Sequence, residues 1–178
     1  FSAGYNLEGN SVAKGDMGYV AEGFVNMPIG EKMAVRLVGW KVHNAGWIDN
    51  VHGTRTFPGD ASTTADDFTV DNAAYAKDNY NTVDTVGARA ALRIELNDDW
   101  TVTPVVQTQH QKSRGAWGDD LSNFVAGDYA VKHFRDEYSK DKWYQAGLTV
   151  EGKIGNFDVT YSGNYLHRDV DASFDYSD

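Results

Sequence analysis

Two runs of strict alternation between Asp84 and Gln111 constrain this chain more than any other feature. Val86, Ala88, Ala90, Leu92, Ile94 and Leu96 fall on one parity, and Arg89, Arg93 and Glu95 on the other. A tight polar turn follows, Asn97-Asp98-Asp99. Trp100, Val102, Pro104 and Val106 then share one parity, and Thr101, Thr103, Gln107, Gln109 and Gln111 the other. Successive side chains of a strand point to opposite faces. The segment is therefore a hairpin with one apolar and one polar face. Two environments suit it: a water-soluble sheet laid over a core, or an outer-membrane barrel with lipid outside and a wet lumen inside.

The register of this hairpin is strongly specified. A one-residue slip moves the whole apolar set to the opposite face. In a bilayer, that slip turns Arg89 and Arg93 to lipid, at roughly 2–4 kcal/mol each near the midplane. The polar face must meet water or other polar groups.

The rest of the chain repeats the pattern. Phe1, Ala3, Tyr5 and Leu7 alternate with polar residues, and a polar connection runs from Gly9 to Asp16. A second strand spans 19–29, with Pro28 at its end, where a missing amide costs least. Gly30-Glu31-Lys32 makes a short turn. A third strand spans 33–43, in which Arg36 is assigned to the polar face together with Trp40. Strands over 143–154 and 157–168 are joined by Gly155-Asn156, a two-residue hairpin turn. After Asp169 the alternation fades.

The connections sort by length. Short turns at Gly30, Asp98 and Gly155 alternate with a medium connection and two long ones, 44–82 and 112–140. The first long segment holds Pro58-Gly59-Asp60, a Ser/Thr cluster and six Asp residues against only Arg55 and Lys77. Unstructured loops of that length are unusual in compact domains. Outer-membrane barrels have them on the outer side, with short turns on the periplasmic side. Trp100, Phe157 and Met33 lie beside the short turns, where an interfacial girdle belongs. A soluble sandwich explains the hairpin equally well but leaves this sorting without a cause.

Composition removes other classes. The net charge of −10 does not suit phosphate-backbone binding, so no nucleic-acid partner is expected. Cysteine is absent, which excludes disulfides and thiolate metal sites. No apolar run is long enough for a transmembrane helix, which leaves barrel strands open. No nucleophile elbow or glycine-rich phosphate loop appears. No enzymatic activity, cofactor or metal site is expected.

The run Gly23-Phe24-Val25-Asn26-Met27-Pro28-Ile29, followed by Ala34-Val35-Arg36-Leu37-Val38-Gly39-Trp40, resembles the barrel of TonB-dependent outer-membrane receptors. Gly46-Trp47-Ile48-Asp49-Asn50, Tyr80-Asn81-Thr82-Val83-Asp84 and Gly87-Ala88-Arg89-Ala90-Ala91-Leu92 do so as well. Trp100-Thr101-Val102-Thr103-Pro104 and Phe157-Asp158-Val159-Thr160-Tyr161 look like further strands of that family. The likeness is greatest to receptors of sphingomonad- and caulobacter-type bacteria. It implies an all-β, antiparallel transmembrane barrel of 22 strands closed by an N-terminal plug. It also implies residence in the outer membrane of a Gram-negative bacterium, and uptake of a scarce nutrient (siderophore-bound iron, a vitamin or an oligosaccharide). The TonB complex would supply energy through the plug. This chain offers about seven strands and no plug. Residues 1–178 are thus expected to be part of the barrel domain of a longer polypeptide. The alternative is a complete eight-stranded barrel of structural or adhesive type, which needs a further strand after Arg168.

Candidate residues follow from parity and place. Arg89, Arg93, Glu95, Gln107, Gln109, Glu151, Lys153 and Arg168 are expected to face the lumen. Trp47, Phe57, Trp117 and Phe124, in the outer loops, either stack on a ligand such as a small nutrient or pack the loops together. His110 is expected at the outer rim of the lipid-facing side. His133, Asp136 and Glu137 lack a recognised ligand spacing and read as a solvated charge cluster. The acidic stretch 60–78 reads as turn-forming and solubilising.

Overall fold

The structure is a computed structural model and describes residues 1–59, 66–115, 118 and 129–176. The chain is all-β. In order, its strands are β1 (Ser2–Ser11), β2 (Met17–Pro28), β3 (Met33–Asn44), β4 (Asp49–Asn50), β5 (Thr54–Phe57) and β6 (Phe68–Asp71). They continue as β7 (Val83–Glu95), β8 (Thr101–Arg114), β9 (Ala130–Val131), β10 (Tyr138–Ile154) and β11 (Phe157–Ser173). Seven of them form one antiparallel sheet in the order β1-β2-β3-β7-β8-β10-β11. The sheet is open, with β1 and β11 at its edges.

The register carries the parity of the opening hairpin across every strand. Ala3, Val25, Leu37, Ala90, Val106, Ala146 and Tyr165 form one continuous cross-strand row. On the opposite face, Asn6, Glu22, Trp40, Gly87, Gln109, Trp143 and Arg168 form another. Arg36 pairs with Ala91, the residue midway between Arg89 and Arg93, so it lies on the polar face with them. His110 lies on the apolar face, level with Val86 and Lys142.

No second layer packs on this sheet among the described residues. The buried apolar side chains are Ala45, Ile48, Tyr80, Val83, Ala130 and Val131, all at the end where the long connections emerge. The apolar face is open: Tyr5 is 83 %, Tyr161 60 % and Leu148 40 % exposed. Along parts of β8 and β10 exposure runs opposite to that of a soluble sheet, whereas lower in β7 Arg89, Arg93 and Glu95 are exposed and Ala90, Leu92 and Ile94 half-buried. In β8, Val106, Thr108 and His110 are exposed, while Gln107, Gln109 and Gln111 are half-buried. In β10, Tyr144, Ala146 and Leu148 are exposed, while Gln145 and Gly147 are half-buried.

The short turns behave as the sequence indicates. Gly155, at φ +62°, takes a left-handed conformation that glycine adopts without a Cβ clash. Trp100 lies on the apolar face over Gly152, where a Cβ would come within 2.3 Å of the indole.

Three strands are longer than the alternation predicts. β8 runs to Arg114, β10 begins at Tyr138 and β11 continues to Ser173. Beyond the apolar band both faces are polar, so the period-2 signal disappears while the backbone ladder goes on. Polar cross-strand pairs hold this extension. Arg168 Nε and Nη2 donate to the two carboxylate oxygens of Asp141 at 2.9 and 2.7 Å, and Lys140 Nζ reaches Asp171 at 3.1 Å.

The segment 44–82 is not the structureless loop that its weak periodicity suggests. It contains the β5–β6 hairpin and β4, which pairs in parallel with β9 from the other long connection. Pairs of two to four residues are too short to leave a periodic signature.

Candidate functional site

The polar face presents a wall of hydrogen-bonding groups. Its register places Arg89, Arg93, Glu95, Gln107, Gln109, Glu151, Lys153 and Arg168 all on this face. Most of the cations are engaged. Arg93 Nε lies 3.4 Å from Glu95, Lys153 lies 4.0 Å from Asp158, and Arg168 is held by Asp141 through both carboxylate oxygens. Arg36 stacks its guanidinium 4.3 Å above the Phe24 ring and donates to Asn26 Oδ1 at 3.1 Å. Asn26 in turn donates to Ser2 Oγ at 2.8 Å. Arg89 has no ion-pair partner among the described residues. It borders a recess of about 300 Å³ lined by Gln107, Gln145, Thr149, Ser162 and Asn164.

At the upper end, the two long connections form a cap with its own core. Ile48, Tyr80 and Val131 pack together, with Trp47 against them. Buried asparagines act here as extra backbone partners. Asn50 Nδ2 donates to the carbonyls of Tyr75 and His133 at 3.0 and 3.1 Å, and its Oδ1 accepts from the His133 amide at 2.8 Å. Asn72 Nδ2 donates to the carbonyls of Val51 and His133 at 2.9 and 3.0 Å, and its Oδ1 accepts from Gly53 N at 2.7 Å. Asn81 Oδ1 accepts from the amides of Trp47 and Ile48 at 2.7 and 2.8 Å. Each satisfies backbone groups that no sheet ladder reaches, as buried polar groups must be satisfied.

His133 and Glu137 are buried in this cap, which corrects their reading as solvated; only Asp136 of that trio is exposed. His133 Nδ1 sits 2.5 Å from Glu137 Oε2, and the Tyr80 hydroxyl donates to the same oxygen at 2.8 Å. Burial works to raise the Glu137 carboxyl. Hydrogen bonds from His133, the Asp175 amide and Tyr80 outweigh it and hold the carboxyl below the usual glutamate range. Asp175 binds the cap to the end of β11, its carboxylate accepting from the amides of Phe134 and Arg135. Among the described residues, no three His, Asp or Glu side chains are grouped to hold a metal ion.

The loop aromatics divide. Trp47 packs against the cap core and also lines an open recess of about 520 Å³ with Val12, Ala13, Lys14 and Tyr129. Phe57 stacks on Phe68 at 5.1 Å and packs the β5–β6 hairpin. Trp117 and Phe124 lie outside the described residues, as does Asp60 of the acidic stretch.

Sequence reasoning missed Asn50, Asn72, Asn81, Tyr80 and Asp175. Asparagine and aspartate between strands read as turn residues, and nothing local marks those that will be buried. Chemically, the wall can hydrogen-bond a hydrated solute along the sheet, and the cap gives the upper rim a fixed shape. No family model, curated protein or solved structure matches the chain.

Proposed function

We propose that this chain is a section of barrel wall from an outer-membrane receptor of the TonB-dependent type, which takes up a scarce nutrient. One observation carries the proposal: the sheet is a single layer among the described residues, and its apolar face is left open, with Tyr5, Leu37, Val106, Tyr144, Leu148 and Tyr161 all exposed. A soluble sheet would need to bury that apolar face, and contiguous exposed patches of such extent mark membrane or partner contact. The band has the height of a bilayer core. From Tyr144 to Ile154 the strand rises about 33 Å at ~3.3 Å per residue. At the ~40° tilt of outer-membrane strands this becomes about 25 Å, the height of their apolar band.

In this reading the apolar face meets outer-membrane lipid, and the polar face lines a water-filled lumen. The cap over the long connections is extracellular. Further strands pair with the edges of β1 and β11, since open edges are not tolerated in lipid. A plug domain elsewhere in the polypeptide would contact the TonB complex. The open sheet supports a section of a large barrel over a complete barrel of eight strands.

Fractionation of the native source tests the proposal. The protein is expected in the outer-membrane fraction, soluble only with detergent, heat-resistant in its β-structure, and with an intact mass well above 19.7 kDa. A soluble monomer near that mass would overturn it.

A further inference from the structure

The apolar face carries its charges at one end only. Below the row of Lys41, its seven strands place no lysine, arginine, aspartate or glutamate on this face, down to Met33, Ile94, Val102, Ile154 and Phe157 beside the short turns. In that row and those above it stand the cations Lys41, Lys112, Arg114, Lys140 and Lys142, and the fewer carboxylates Asp84, Asp169 and Asp171. The chain's net charge of −10 makes this local excess of cations the exception.

The carboxylates leave the middle of the cluster uncompensated. Asp84 lies opposite Lys112 on the ladder, but its oxygen is 2.7 Å from His43 Nδ1. Asp169 lies opposite Lys142, but its oxygen is 3.1 Å from His167 Nε2. Asp171 takes Lys140 Nζ at 3.1 Å. Lys112 and Lys142 have no ion-pair partner among the described residues. Lys112 stands directly opposite Lys140, and Lys142 directly opposite His110. Like charges so placed destabilise a sheet.

Directly below lies a shallow hollow of about 460 Å³ in the same face. Ala88, Ala90, Thr108 and Ala146 line it, with Leu37 on β3 and Tyr144 on β10 at its sides. Arg89, Gln107 and Gln145 also border it, but their parity turns their side chains to the opposite face. The next residues up this face from Thr108 and Tyr144 are His110 and Lys142, about 7 Å along the strands.

We propose that hollow and cluster together bind one anionic lipid of the leaflet on the cap side. An acyl chain lies in the hollow, and Lys142, Lys112 and His110 hold the negatively charged headgroup. The proposal rests on the receptor reading for the presence of lipid at this face. Small apolar side chains admit an alkyl chain and offer little to a hydrated solute. Lysine stems run along apolar surface and carry their ammonium groups to headgroup level. Cations that only anchored the sheet in a bilayer would stand at both edges of the band, whereas these stand at one. Clusters of lysine at a membrane surface select anionic lipid.

Native mass spectrometry of the full-length protein in detergent tests this, titrated with dioleoylphosphatidylglycerol, dioleoylphosphatidylcholine and glycerol phosphate. The anionic lipid is expected to bind more tightly than the zwitterionic one. Glycerol phosphate has the charge without the chains and is expected to bind most weakly. Lys142→Gln and Lys112→Gln should each lower the preference for the anionic lipid about 5-fold, the worth of one lysine near an anionic surface. Ala88→Phe fills the hollow from an exposed position and should weaken retention of both lipids. Lys153→Gln removes a cation from the opposite face and should change neither. The site is overturned by equal binding of the two lipids, by glycerol phosphate binding as tightly as the anionic lipid, or by lipid retention untouched in Ala88→Phe. A preference unchanged in the Lys112→Gln/Lys142→Gln double variant overturns it as well. A protein that gives any of these results yet folds only in detergent keeps the receptor reading. A protein that stays folded and monomeric without detergent overturns both.

Discussion

Replacing Leu148 by Arg separates a lipid-facing sheet from a water-facing one by the sign of its effect. Leu148 sits near the middle of the apolar stretch of β10, flanked by Pro104 on β8 and Gly163 on β11. It is 40 % exposed, so nothing in the sheet must move to admit a longer side chain. In water, Arg at that site would be neutral or would improve solubility. Facing a bilayer midplane, it would cost roughly 2–4 kcal/mol. That corresponds to a loss of about 30- to 900-fold in the folding equilibrium. Thr149→Arg, one residue on and on the opposite face, is the matched control and is expected to change stability by less than about 1 kcal/mol, like a lumen substitution. The assay is reversible urea unfolding of the full-length protein in phosphatidylcholine vesicles, followed by tryptophan emission. Equal stability of the two variants would refute the assignment of faces. Greater loss for Thr149→Arg would invert it.

The cap gives further expectations. Because Glu137 is held below the usual glutamate value of 4.5, its contribution is fully present above that pH and is lost as pH falls through the lower folded value. The hydrogen-exchange protection of the Asp175 amide, which donates to Glu137 Oε1, should therefore be lost only in acid, and Glu137→Gln should remove that acid dependence. Asn72→Ala removes the partner of the Val51 carbonyl and of the Gly53 amide and leaves the His133 carbonyl with Asn50 alone; it is expected to destabilise the cap by about 1–3 kcal/mol, read as faster proteolysis within 44–82 with the strands intact. Gly152→Val cannot coexist with the Trp100 ring 2.3 Å from the new Cβ, so the indole N–H resonance of Trp100 should shift while those of the other tryptophans stay.

The sheet was legible because side-chain parity is a local property that survives in sequence. Val86 to Leu96 and Trp100 to Val106 fixed a hairpin, and the observed register extends its two faces across β1 to β11. Arg36 shares its face with Arg89 although its own strand alternates poorly, because Val38 and Val42 are apolar residues on the polar parity. The outer parts of β8, β10 and β11 were not legible. There Lys140, Asp141, Arg168 and Asp171 put charge on both faces and erase the period. The cap was not legible either. It is built by single asparagines reaching across 25 to 83 residues of chain, as Asn50 does to Tyr75 and to His133. Such contacts obey no spacing rule. His133 and Glu137 were misjudged for the same reason. Their burial is created by Tyr80, more than 50 residues away.

Spin-label accessibility along β10 tests the central claim most directly. Single Cys substitutions from Gln145 to Val150, in a stretch of 178 residues that has no cysteine of its own, each place one label on this strand. In the full-length protein reconstituted in bilayers, labels at 146, 148 and 150 should be accessible to oxygen dissolved in lipid. Labels at 145, 147 and 149 should be accessible to a water-soluble nickel chelate. Water accessibility at both parities, or an apolar parity closed to both reagents by protein contact, would contradict a lipid-facing sheet.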